Sequence, residues 1–431
     1  MATAPTSQKS QADKVPRHAR AIPLSLPMVV AILSLLGIVL AWEGVLFYRQ
    51  RAAIREIERV GGRIVEIRTR GPVWLQERVN YDWNEFFGEV TRVDLSFSRI
   101  DDAGLSSIFG LTGLEELELD STQLTVTGLS QLDKLKQLRK LGLASTGTTD
   151  AGISKLCGLV NLEELDLGAT RITDAGLAYI KGLSSLKRIS LRDTQTTDAG
   201  LAHLASLHGL KTLSLNGTHV SAAGLEHLRG MSSLQVLTLN HTRVGGDALQ
   251  HLTELRSLRQ LSLDGTAVTD AELVHLQAII GLQDLWLNDT VISDLGIAEL
   301  KNLTELRGLF LKQTLISDAG LAHLAELACL RELSVDGTAV TDAGLAHLSR
   351  LGRLQSVWLN DTHISDKGLV HLLRLSNLEY LFLERTEITD AGLLTLSGLS
   401  RLKVVSVENT NVSVDGAKQF EKVRPNVTVI R

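Results

Sequence analysis

The stretch Leu165–Arg188, LDLGATRITDAGLAYIKGLSSLKR, carries two different apolar periods in 24 residues. Leu165 and Leu167 flank the polar Asp166, the alternation of a strand with one buried face. Leu177, Ile180 and Leu183 then recur at helical spacing. Between the two lies Thr173-Asp174, whose oxygens can accept the first, unpartnered N–H groups of a helix. The stretch therefore encodes a strand, a turn, a short helix and a return, a unit too small to bury its own apolar side. It becomes foldable because it recurs. The first apolar strand position falls at Val93, Leu117, Leu141, Leu165, Ile189, Leu213, Leu237, Leu261, Leu285, Leu309, Leu333, Val357, Leu381 and Val405, which is 14 units without insertion or deletion. A fixed period of this size predicts an α/β solenoid: stacked strands form a parallel sheet on the concave side, and short helices form the convex side.

A threonine closes each strand. Thr122, Thr146, Thr170, Thr194 and their equivalents through Thr410 stand in register, with Ser98 in the first unit. Such a column reads as structural, because a hydroxyl can serve backbone groups left open where a strand ends. Units of the form L-x-L-x-x-T-x-I-T-D-A-G-L-x-x-L resemble leucine-rich repeats in which threonine takes the place usual for asparagine or cysteine. With the Gly-Gly segment RVGGRIVEI (Arg59–Ile67), the TDAGLAHL units and a closing Pro425-Asn426-Val427 strand, the layout is similar to membrane-anchored, planctomycete-type bacterial leucine-rich-repeat proteins. That resemblance implies a horseshoe-shaped interaction domain and no particular ligand. The repeat also resembles that of F-box receptors, but no F-box-like helical segment precedes it.

Five regions follow. Residues 1–21 are a polar, basic tail. Residues 22–48 contain a 21-residue run, Ile22–Trp42, without a charge. As a helix that run rises ~32 Å, and no small-residue cleavage site follows it, so a retained transmembrane anchor is expected. Basic residues flank both ends; a short basic tail with a long downstream domain favours the repeats lying outside the cytoplasm. Residues 49–92 are expected to form a linker helix (Arg51–Val60, stopped by Gly61-Gly62), a short strand (Arg63–Ile67) and an N-terminal cap. The cap is rich in aromatics: Trp74, Tyr81, Trp83, Phe86 and Phe87. Residues 93–412 are the solenoid, and 413–431 a C-terminal cap with a helix ended by Pro425 and a last strand.

Composition excludes several classes. The formal charge is −5, and the outward strand columns carry twelve acids against five bases, a balance that repels nucleic acid. The recurrent Asp (for example Asp174 and Asp318) and His (for example His203 and His347) follow the repeat itself, so helix capping explains the first and the consensus the second without a metal. Cys157 and Cys329 lie seven units apart, beyond disulfide reach. No nucleophile–base pair or Gly-rich phosphate loop stands outside the repeat, and neither enzyme chemistry nor a cofactor is expected.

One column departs from repeat chemistry. The mid-strand outward residue is small or polar up to Ser262, then becomes Trp286, Phe310, Ser334, Trp358 and Phe382. Core packing does not call for these rings, because Leu285 and Leu287 already point inward. With strands ~4.8 Å apart the four aromatics span ~19 Å of the concave face. Together with Tyr380, Asn288, Asn360, Lys312 and Glu384 they are expected to bind a protein or peptide partner; support of the sheet by ring stacking is the competing reading. Residues 261–332 and 333–404 match as a duplicated 72-residue block, so the number of rings alone says little. A structural or adhesive role without one ligand is the alternative function.

Overall fold

The computed structural model describes residues 25–69 and 88–431. Two compact units are distinguished, Met1–Arg49 and Gln50–Arg431. The polar tail, residues 22–24 and the cap aromatics Trp74 to Phe87 lie outside the described residues. Helix α1 runs Leu26–Arg59 without a break, so the expected linker helix is the second half of a longer one. Leu26, Leu33, Leu35 and Ile38, in the first unit, are exposed. Among the described residues no helix is long and apolar enough to cross a membrane, so the expected anchor over residues 22–48 finds no support in the fold. The physical reason is visible in α1, which carries six charges between Arg49 and Arg59 and whose apolar run begins outside the described residues.

In the second unit, α1 ends where Gly61 takes φ +80°, a left-handed conformation glycine adopts without penalty. Ala53 and Ile57 are fully buried and cover the first coil. One 16-stranded sheet follows, in strict sequence order. Its strands are β1 (Arg63–Thr69), β2 (Gly88–Asp94), β3 (Glu116–Glu118), β4 (Lys140–Gly142), β5 (Glu164–Asp166), β6 (Arg188–Ser190), β7 (Thr212–Ser214), β8 (Val236–Thr238), β9 (Gln260–Ser262), β10 (Asp284–Trp286), β11 (Gly308–Phe310), β12 (Glu332–Ser334), β13 (Ser356–Trp358), β14 (Tyr380–Phe382), β15 (Val404–Ser406) and β16 (Thr428–Ile430). All neighbours pair in parallel except β1, which runs antiparallel to β2 and closes that end of the sheet. At the other end β16 adds one more parallel strand after the helix Val414–Val423.

Each coil contributes a full set of inward aliphatics. In the unit starting at β10, Leu285, Leu287, Ile292, Ile297, Leu300, Leu303 and Leu306 are all essentially buried. At about 1.5–3 kcal/mol per side chain the gross gain is about 10–20 kcal/mol per coil, and it exists only when the next coil is in place. The turn after each strand is more strained than its sequence suggests. The residue before the threonine has positive φ in every unit, as at Ala169 (53°), Asp289 (56°) and Gln313 (54°). The buried threonine hydroxyl offsets that strain by donating to the carbonyl three residues back, at 2.6 Å for Thr170 to Leu167 and for Thr314 to Leu311.

The helix side is stapled by the TDAG motif. Thr173 caps its helix, its Oγ1 accepting from Ala175 N. Asp174 does not cap; its carboxylate reaches the next coil and accepts from Thr197 N (2.8 Å) and Thr197 Oγ1 (2.6 Å). Ten such carboxylate staples join successive coils. Each needs the glycine 26 residues further on, because a Cβ there would sit deep inside the radius of the carboxylate oxygen, as at Gly344 against Asp318. Two of the three exceptions obey the same rule; the third, Val126, is followed by Gly152 all the same. Where Ala222 and Gly246 replace the aspartate, the later glycine becomes Ala248 and Glu272. Glu272 then serves Thr269 from within its own coil, Oε1 accepting from Thr269 N at 3.2 Å and Oγ1 at 3.3 Å. The joints after residues 126, 222 and 246 are thus unstapled. Ala222→Asp alone is expected to speed amide exchange in residues 245–252, because Ala248 blocks the staple; adding Ala248→Gly should restore or exceed the original protection. Equal exchange in both variants would refute the spacing rule.

Candidate functional site: an aromatic row on the sheet face

In each three-residue strand the middle side chain enters the core and its neighbours face away from it, which places Trp286, Phe310, Trp358 and Phe382 outside the core. The register sets Trp286 beside Phe310, Phe310 beside Ser334, Ser334 beside Trp358 and Trp358 beside Phe382. Two pairs stack almost coplanar: Trp286–Phe310 with centroids 5.2 Å apart at 2°, and Trp358–Phe382 with 5.4 Å at 1°. Phe310 and Trp358 belong to strands two apart, ~9.6 Å by strand spacing, yet their centroids are 6.0 Å apart at 50°. The two rings therefore lean together over Ser334, which is only 5% exposed. Gly308 gives Phe310 its room, since a Cβ there would meet Phe310 Cε2 at 3.0 Å.

The result is one continuous four-ring row, each ring half-buried. Freely exposed rings were the expectation; stacking covers part of each. At about 0.5–1.5 kcal/mol per aromatic contact the three contacts supply about 2–4 kcal/mol of sheet support. The competing reading is thus physically present alongside the solvent-facing edges that remain. Tyr380, at the start of β14, is exposed, with Lys403 Nζ 5.9 Å from its ring centre.

Asn288 and Asn360 do other work than the sequence suggested. Asn288 Oδ1 accepts from Lys312 N (2.8 Å) and Asn360 Oδ1 from Glu384 N (2.7 Å), while their own N–H groups donate to Asp264 and Asp336 (2.8 Å each). This column, which also includes Asn216 and Asn240, carries side-chain carbonyls that tie each coil to the next along the rim of the sheet face. The signal was the recurrence of Asn and Asp every 24 residues beside the ring column. Lys312 is exposed, and Glu384 Oε1 accepts from Ser406 Oγ at 2.9 Å.

Burial, the largest influence, pushes the carboxyls of Asp264 and Asp336 up from the ordinary range; hydrogen bonds from Asn288 and Asn360 pull the other way. A carboxyl raised in the folded state is a liability when ionised. The penalty is present above the folded pKa, shrinks as pH falls towards the ordinary carboxylate value, and is gone below it. Asparagine makes the same bond without charge. Asp336→Asn is therefore expected to raise the unfolding midpoint at pH 7 and to bring no gain near pH 3, measured by thermal melts across that range.

The face at β2–β6 has another character. Arg92 bridges Glu66 (2.9 Å) and Glu116 (3.0 Å), Lys140 pairs with Glu118 (2.6 Å) and Arg188 with Glu164 (3.5 Å). These exposed pairs neutralise one another and add little stability. Among the described residues no three His, Cys, Asp or Glu side chains gather as metal ligands would.

A sheet whose 24-residue coils each add one parallel strand and a set of inward leucines has the fold of a leucine-rich-repeat solenoid. A family model described as leucine-rich repeat matches residues 90–109 and 159–181. Among solved structures the chain is similar to an internalin (inlF) of Listeria monocytogenes, at 24% identity and TM-score 0.60, over 77% of this chain and 92% of that one. It is also similar to a leucine-rich-repeat protein of Leptospira interrogans, at 18% identity and TM-score 0.55, over 75% of this chain and 92% of that one. No curated protein matches the sequence.

Proposed function

We propose that this leucine-rich-repeat protein is a non-catalytic interaction protein whose concave sheet face binds a protein or peptide partner, centred on Trp286, Phe310, Trp358 and Phe382. The observation that carries the reading is the continuous four-ring row standing outside an aliphatic core already filled by its own leucines. Tyr380, Lys312 and Glu384 border it, while Asn288 and Asn360 hold the rim in place. Photoreactive residues at positions 286 and 358, followed by mass spectrometry of the crosslinked species, test it. One stoichiometric partner supports the reading; a spread of weak partners or glycan retention supports the adhesive alternative instead.

Localisation belongs to the same proposal. The uncharged Ile22–Trp42 run and the likeness of the layout to membrane-anchored, planctomycete-type bacterial proteins support a single membrane pass with the repeats outside the cytoplasm. Digestion of the repeats in intact cells supports that orientation, and digestion only after rupture reverses it.

A further inference from the structure

The reading above leaves the chemistry of the partner open, and the charges around the rings narrow it. In the outward columns flanking the row stand Asp264, Asp284, Glu332, Asp336 and Glu384 against a single base, Lys312. At β1–β6 the facing carboxylates Glu66, Glu116, Glu118 and Glu164 pair with cations from neighbouring strands, while Asp120 and Asp166 accept only backbone N–H groups. Beside the rings no cross-strand ion pair among the described residues reaches these columns. Among the described residues Asp264, Asp284, Glu332 and Asp336 have no Arg, Lys or His in ion-pair reach, and Glu384 has only Arg385 at 3.9 Å. Arg307 and Arg331 come one residue before β11 and β12, outside the strands, and no ion pair brings them to these carboxylates. Asp336 is also partly desolvated, with Lys312 near enough to act on its charge but not to form an ion pair.

Rings with uncompensated carboxylates on both sides match one side-chain chemistry. Guanidinium and ammonium groups are attracted to ring faces and edges lined by acids, and Arg stacks on aromatics while pairing with carboxylate. Trp286 adds to this, because no ring stacks on it from the β9 side, where its register partner is Ser262. Resting on the proposed function, we infer that the partner segment is an extended, cationic stretch of protein whose Arg or Lys side chains lie on the aromatic row and pair with Asp284 and Glu332. Complementary charge of this kind sets partner choice and on-rate, and its effect falls with salt.

The test uses the full chain in neutral detergent and three dye-labelled decapeptides, acetylated and amidated, in which serine alternates with arginine, glutamine or glutamate. Binding is read by anisotropy at low and high salt. The arginine peptide is expected to bind at least tenfold tighter than the glutamine one and the glutamate peptide not at all. Asp284→Asn with Glu332→Gln should weaken the arginine peptide about tenfold, whereas Glu305→Gln with Glu421→Gln, the same charge change on other exposed residues, should not. If the glutamine or glutamate peptide binds as well as arginine, and alanine at Trp286 and Trp358 weakens them, the cationic partner is wrong while the aromatic site stands. If the arginine peptide binds equally to the tryptophan variant, the site itself is wrong. Failure of all three to bind overturns the inference.

Discussion

Alanine at both Trp286 and Trp358 is expected to weaken capture of the partner crosslinked at these positions by more than tenfold, a loss of about 1.4 kcal/mol or more, while the chain stays folded. Both must change, because the duplicated block gives the row two indoles, each stacked on a phenylalanine, and either pair alone could retain part of the contact. Stability should fall only by the stacking terms, about 2–4 kcal/mol in total, spread over five neighbouring coils. The inward residues of those coils, Leu285, Leu309, Leu333, Val357 and Leu381, remain fully buried and hold the sheet. Amide exchange of β10–β14 separates the two effects. Strands as protected as before, with partner capture lost, place the rings in the interface; capture unchanged removes them from it.

The second large effect concerns the joint between coils. Gly344→Ala should destabilise the coil by about 2–4 kcal/mol, although alanine ordinarily favours a helix over glycine by roughly 0.5–1 kcal/mol. The added methyl would collide with Asp318 and drive it off Thr341, where it accepts two hydrogen bonds, at 2.8 Å from the backbone N–H and 2.7 Å from the hydroxyl. Each such bond contributes about 0.5–1.5 kcal/mol, more when an acceptor is charged. Asp318→Ala alone should cost about 1–3 kcal/mol for the same bonds. The decisive quantity is the double variant. With the carboxylate gone, the nearest remaining neighbour of the methyl at 344 is Leu321 Cδ1 at 3.1 Å, a close contact with the end of a flexible side chain that can shift, so the double variant should be no worse than Asp318→Ala. That outcome is a coupling of at least ~1 kcal/mol between residues 26 positions apart. Amide exchange of helix Asp342–Leu348 is the suitable measurement, since a long repeat array need not unfold in one step. Additive losses would show that the glycine is not there for the staple.

Much of this was legible in the residues. The 24-residue period and the two apolar spacings inside it specified coil, sheet and helix side, and the odd column of rings pointed to Trp286, Phe310, Trp358 and Phe382. The Asp–Gly coupling was also written there, in the pairs Ala222/Ala248 and Gly246/Glu272, but reading aspartate as a helix cap hid it, because a cap acts within its own coil and the staple acts on the next. Asn288 and Asn360 were assigned to the partner for a similar reason: their carbonyls are spent on the following coil's backbone, a contact between residues 24 apart.

The sequence by itself determined the stack, since apolar period is a property of the chain and a coil that cannot bury its leucines alone must find them a neighbour. What only the tertiary structure decided is how laterally adjacent side chains share the space between coils. The lean of Phe310 and Trp358 over Ser334, the staples and the unpaired carboxylates beside the rings all depend on distances across the stack, and those are set by strand spacing and rotamer choice in three dimensions rather than by order along the chain.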